Sequence, residues 1–126
     1  MPYAHIKSLP FKPALATASV LEGLTTDLAR ATGISIEHLS LSWEFIPAHQ
    51  YAAGGHTAAY QPLDSHPVMV DLLCPDFITE ATLGKLLTAL AHGIAERTGV
   101  QPSNVFINHR QALSGHVFDG GEIVQW

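Results

Sequence analysis

The sequence predicts an α/β (α+β) domain: a tandem βαβ repeat giving a four-stranded mixed sheet with two helices on one face. Three observations predict it. Two segments repeat each other at a constant offset. Each repeat sets an apolar helical stripe between strand-like runs. Each stripe ends on a glycine. Ala29-Arg30-Ala31-Thr32-Gly33-Ile34 precedes Leu39-Ser40-Leu41-Ser42, and Ala95-Glu96-Arg97-Thr98-Gly99-Val100 precedes Val105-Phe106-Ile107-Asn108. The offset is 66 positions for both (98 − 32 and 105 − 39).

The elements follow in order. Pro2 to Leu9 reads as the first strand, with Pro67 to Leu73 as its counterpart. The first helix is expected to start near Pro13, because proline is tolerated in a first turn. Leu21, Leu24 and Leu28 lie at i, i+3 and i+7, one face of a helix. Gly33 stands where the helix end needs a left-handed residue. The second strand is Leu39 to Ile46, and His49 to Ser65 is a long loop rich in Gly and Ala. Loops of that length in compact domains tend to be functional or mobile. Val68 to Leu73 is the third strand. Thr79 is placed to cap the second helix. Leu87, Leu90 and Ile94 repeat the apolar stripe, and Gly99 repeats the stop. Val105 to Asn108 is the fourth strand. In the tail, Gly115 to Trp126, Asp119-Gly120-Gly121 is a turn signal between short β-like runs, suited to adding an edge strand to a neighbouring subunit.

Each βαβ unit should set its strands parallel with a right-handed crossover. The whole chain, 1–126, then forms one domain: pseudo-repeats of about 2–48 and 66–111, and a tail of 112–126. Strands two and three are apolar at most positions, which suits strands covered on both faces. The helices cover one face, so other subunits are expected on the other.

Composition narrows the function. A chain of 126 residues fits one domain, and 47% hydrophobic against 13% charged residues points to surface hidden in an oligomer. Net charge is −5 with six Lys and Arg, which argues against nucleic acid as a partner. The one cysteine, Cys74, allows no internal disulfide and fits a reducing compartment. It reads as a small buried hydrophobe. The start lacks the layout of a signal peptide and no run is long enough to span a membrane. A soluble cytoplasmic protein with no membrane partner is expected. Eight histidines invite a metal reading, but none forms an HxH or HxxxH pair and no Cys stands at zinc spacing. No metal is expected; His49, His56 and His66 would be the best trio. Glu44 and Asp71 interrupt apolar strands, so each should be partnered or functional.

The start of the chain, Met1-Pro2, carries the chemistry. Aminopeptidases remove methionine before proline, which would leave Pro2 with a free secondary amine. Such an amine titrates near ~8, and modest burial moves it toward neutrality, because desolvation disfavours the charged form. That range suits a general base. Phe106 and Asn108 lie two apart on a strand and share a face, which Arg110 continues. An anionic substrate needs a cation; Arg110 is the first candidate and Lys7 the second.

Pro2 and the two repeats together resemble the tautomerase superfamily, in the group of macrophage migration inhibitory factor with two βαβ units per chain. Ala31-Thr32-Gly33 and Val105-Phe106-Ile107-Asn108 carry the likeness. Trp43-Glu44-Phe45-Ile46, Gln50-Tyr51, Gly54-Gly55 and Phe118-Asp119-Gly120 are similar to an uncharacterised bacterial branch. The resemblance implies a homotrimer, no cofactor, and keto–enol tautomerisation of a small substrate with Pro2 as base and then acid. It implies that Asn108 holds the substrate oxygen; Phe118 and Trp126 either close an apolar pocket in the family manner or simply pack the tail. Where the family has a substrate-binding lysine and a pocket tyrosine, this chain has Ile34 and Phe106. That departure favours the alternative, a non-catalytic trimeric binding or scaffold protein of the same fold.

Overall fold

The computed structural model describes residues 2–126; Met1, whose removal the proline chemistry requires, lies outside the described residues. The chain runs β1 (Tyr3–Ser8), α1 (Thr17–Thr32), β2 (Ser40–Phe45), β3 (Ala52–Ala53), β4 (His56–Thr57), β5 (Val68–Pro75), α2 (Glu80–Thr98), β6 (Val105–Ala112), β7 (Val117–Asp119) and β8 (Glu122–Val124). The main sheet has the order β2-β1-β5-β6. β1 and β2 are parallel, β5 and β6 are parallel, and β1 meets β5 antiparallel. Two βαβ units thus join through their first strands into the mixed sheet expected from the repeat.

Side-chain alternation sorts the sheet into two faces. Ala4, Ile6, Val68, Val70, Leu72 and Cys74 are buried against Val20, Leu24 and Leu28 of α1 and Leu86, Leu90 and Ile94 of α2. Burying a leucine fully contributes roughly 1.5–3 kcal/mol, so this layer supplies much of the stability. The opposite face carries Ser42 and Glu44 of β2, His5 and Lys7 of β1, Asp71 of β5, and Asn108 and Arg110 of β6. It is more polar than the apolar runs of the second and third strands suggested. Alternation explains this: the apolar residues of Val68–Leu72 fall mainly on the helix side. Glu44 and Asp71 are therefore not buried carboxylates. Glu44 accepts from His5 Nε2 at 3.0 Å, across neighbouring strands.

The helices meet closely. A Cβ on Gly93 of α2 would lie 2.8 Å from Leu24 Cδ2, so only glycine fits without displacement. Arg97 of α2 grips Asp27 of α1 through two 3.0 Å hydrogen bonds. Gly33 and Gly99 both adopt the left-handed conformation, with φ of 75° and 82°, as their positions required. Thr79 caps α2 by accepting from Thr82 N at 3.1 Å. One boundary differs from expectation: α1 begins at Thr17, with Ala16 as N-cap, and not near Pro13. Phe11 and Leu15 instead pack against the core from an irregular segment.

The long loop is pinned rather than loose. β3 and β4 form a small hairpin turned by Gly54-Gly55. Buried Gln61 accepts from Leu9 N at 3.1 Å and donates to His66 O at 2.7 Å. Buried Asn104 donates to Ser65 O at 2.7 Å. The loop histidines are bound locally: His66 Nε2 sits 2.8 Å from His56 O, and His49 Nδ1 sits 2.9 Å from Thr57 Oγ1. Among the described residues no group of three or more His, Cys, Asp or Glu is placed to hold a metal ion. No helix among them is long and apolar enough to cross a membrane.

Candidate active site

Pro2 is buried at the head of β1. Its carbonyl accepts from Ser40 N at 3.1 Å, which continues the β1–β2 ladder and fixes its place. It lines a cleft of about 410 Å³. One wall comes from the link between α1 and β2. Gly33 turns the chain out of the helix, and Ile34 enters the wall with its N–H held by Thr32 Oγ1 at 3.1 Å. A single 3₁₀ turn, Ile36–His38, then brings in His38. The other wall comes from the end of β5 and the start of α2: Pro75, Phe77 and Ile78, then the hydroxyl residues Thr79 and Thr82. The cleft is mainly apolar, which raises the strength of any polar contact made inside it.

The rim is held by the tail. Asp76 N donates to Ala112 O at 2.9 Å. Trp126 Nε1 donates to Asp76 Oδ1 at 2.6 Å, and its ring stands edge-on to Phe77 with centroids 5.7 Å apart. Trp126 N in turn donates to Ser114 Oγ at 2.8 Å. Trp126 thus backs the aromatic wall, while Phe118 lines a second hollow of about 470 Å³ with Tyr3, Glu37, His38 and Asp119. His38 belongs to both hollows.

Behind the sheet end lies Cys74, fully buried. Burial pushes its thiol up to about 11, so it carries no thiolate at neutral pH.

The sequence-predicted residues are placed as follows. Pro2 is in the cleft. Phe106, Asn108 and Arg110 share the open face of β6, beside Met69, Asp71 and Leu73 of β5. Lys7 is on the same face, at the far end of β1, between Glu44 and Met69. Lys7 is five residues from Pro2, or ~17 Å at strand rise. Asn108 is two strands across and three residues along, on the order of 14 Å. Arg110, level with Tyr3 through Leu73, is two strands across and one residue along, on the order of 10 Å, so it is the nearest of the four to Pro2, while Lys7, Phe106 and Asn108 lie farther off. The residues that line the cleft with Pro2 are instead Ile34, His38, Phe77 and Thr82, among others. Sequence reasoning passed over His38 as one scattered histidine. The usable signal was its place in the short link that also contains Ile34, between a capped helix and the strand paired to Pro2.

No protein-family profile matches the chain, and no curated protein does. Solved structures match along nearly its whole length. Pt0534 inactivated by 2-oxo-3-pentynoate is 18% identical with a TM-score of 0.82, covering 97% of this chain and 94% of that one. A fused 4-OT asymmetric trimer is 20% identical with a TM-score of 0.82, covering 96% and 94%. Macrophage migration inhibitory factor of Toxoplasma gondii is 13% identical with a TM-score of 0.67, covering 94% and 96%. The chain has the fold of the tautomerase superfamily, with two βαβ units.

Proposed function

We propose that the protein is a cofactor-independent tautomerase. It moves a proton between the keto and enol forms of a small, carboxylate-bearing substrate, with Pro2 as the base and then the acid that returns the proton. One observation carries the reading: Pro2 is buried and lines an apolar cleft of about 410 Å³. Once Met1 is removed, its secondary amine is partly desolvated there. Desolvation disfavours the ammonium form and brings the nitrogen toward the range of a general base. The apolar walls exclude water from the carbanion, and hydroxyl and imidazole donors lie among the lining residues.

The protein works as a homotrimer in this proposal. The large apolar residues left exposed on the single chain, among them Phe106, Phe118 and Ile123, support assembly, and a fused 4-OT of the same fold is a trimer. Phe106, Asn108 and Lys7 serve a Pro2 cleft from another copy, because their own chain holds them on the order of 14 Å or more away; Arg110, level with Tyr3, is the nearest cation of the open face to Pro2 in its own chain. Asn108 would then hold the substrate oxygen and Phe106 would wall the ring.

The test combines mass and turnover. Intact mass of protein from its native host should show Met1 removed, and the protein should ketonise phenylenolpyruvate. Pro2→Ala should lower kcat/KM by at least ~100-fold, the usual worth of a positioned base. The electrophilic alkyne of 2-oxo-3-pentynoate should add its whole mass to the N-terminal peptide. Retained Met1, or undiminished turnover in Pro2→Ala, sinks the proposal.

A second reading has an observation in its favour. Among the described residues, the cleft lining contains no Lys or Arg. A non-catalytic trimeric binding protein would bind small acids there without turnover. Met1 removal with no ketonisation of any enol tested would select it.

A further inference from the structure

We infer that His38 is the specificity-determining residue of the Pro2 cleft: it receives the carboxylate of a monocarboxylate substrate, and the acids behind it reject a second carboxylate. The inference rests on the tautomerase reading for the reaction, but not for the binding event. His38 is the one ionisable side chain among the described residues that line the cleft. A carboxylate entering among Ile34, Phe77 and Ile78 loses its hydration and needs a donor to replace it. Thr79 Oγ1 already accepts from Thr82 N and donates to Thr82 Oγ1, so the first turn of α2 offers only the Thr82 hydroxyl. The His38 ring makes no hydrogen bond among the described residues, so its donors are uncommitted.

Its backbone is fixed, and its exposed ring stands at the edge of the cleft. His38 N donates to Ser35 O at 2.9 Å, Leu39 N to Ile36 O at 3.2 Å, and Ser40 N to the Pro2 carbonyl at 3.1 Å. Three successive bonds therefore tie the His38 backbone to Pro2 itself. The groups facing His38 from its other side give the selectivity. Glu37 comes from its own turn, Asp119 from β7, and Tyr3, whose phenol is bonded to Ser42, from β1. Asp119 accepts only from the Gly120 N–H, and neither acid has an ion-pair partner among the described residues. A dicarboxylate that sets its second carboxylate past His38, into this second hollow, meets like charge there and is disfavoured. The ligand class is a 2-oxo acid or its enol with one carboxylate and an apolar tail lying along Ile34, Ile78 and Phe77.

The experiment has a kinetic arm and a binding arm. His38→Gln should raise KM for phenylenolpyruvate about tenfold with kcat changed less than about twofold, the loss of one charge-assisted contact. His38→Lys should restore KM. The double variant Glu37→Gln/Asp119→Asn should raise kcat/KM for the enol of oxaloacetate by a larger factor than for phenylenolpyruvate; equal factors overturn the selectivity. Independently of turnover, phenylpyruvate added to protein labelled with isotopic histidine should shift the His38 ring resonances saturably, in wild type and in Pro2→Ala. A saturable shift with no turnover in wild type keeps the His38 assignment and overturns the tautomerase reading. Pro2-dependent turnover with no ring shift does the reverse. An unchanged KM in His38→Gln, or a raised KM without any ring shift, overturns the inference.

Discussion

Cys74 and Tyr51 are groups that the fold holds in their protonated forms. Burial pushes the Cys74 thiol up to about 11 and raises the Tyr51 phenol, whose hydroxyl donates to Pro67 O at 2.9 Å. Each binds its proton more tightly folded than unfolded. Their contribution to stability is therefore complete below the unfolded thiol range and is lost as pH rises through about 9 toward 11. The urea midpoint should fall between pH 8 and pH 10.5. Cys74→Ala should flatten that fall, at a constant cost of about 1 kcal/mol for lost packing. Single residues also mark what the sequence could and could not convey. Gly33, Gly99 and Thr79 were legible, because a helix end makes a local demand that neighbours in sequence reveal. His38 and Phe77 were not, because the cleft joins residue 2, residues 34–38 and residues 75–82, which only sheet pairing brings together. Asn108 and Arg110 were correctly placed on one face, but sharing a face says nothing about distance from Pro2.

At the scale of the element, α2 contains two glycines with opposite roles. Gly84 faces open space, while Gly93 faces Leu24 and Asp27 of α1. Gly84→Ala should stabilise by roughly 0.5–1 kcal/mol, since glycine costs a helix interior about that much. Gly93→Ala gains the same propensity but forces a methyl against fully buried Leu24, an overpacking cost of typically 1–3 kcal/mol. Its net effect should be destabilising, and Leu24→Ala should cost less in the Gly93→Ala background than in the wild type. Thr79→Ala should cost about 1 kcal/mol through the lost cap. Thermal or urea unfolding of these variants checks all of these. The apolar stripes of both helices were readable because amphipathic period survives any tertiary context. The start of α1 was not: Pro13 permits a helix without requiring one, and Phe11 and Leu15 are drawn into the core from a non-helical path. The hydrogen bonds that hold the loop from His49 to Ser65 were not legible for a similar reason. Its order comes from Gln61 and Asn104, whose partners are distant in sequence.

For the whole molecule, the helix-covered face closes one half of the sheet and leaves the other open, with charged residues set among Tyr3, Met69, Leu73 and Phe106. Sedimentation should give a mass of three subunits. Phe118→Asp together with Ile123→Asp, both surface residues that make no core contact in the single chain, should shift the protein toward monomer at micromolar concentration while each subunit stays folded by circular dichroism. Activity should fall with assembly if neighbouring copies complete the cleft. The two tryptophans divide the molecule between them. Trp43 lies among Phe11, Phe45 and the Ser8 hydroxyl, inside the first repeat. Trp126 leans on Phe77, which lines the cleft. The chain therefore carries two intrinsic fluorophores with separate allegiances. In Trp126→Phe the remaining emission tracks unfolding alone; in Trp43→Phe it dims or brightens as a small acid fills the hollow, giving a label-free optical titration of the very surface whose chemistry is in question.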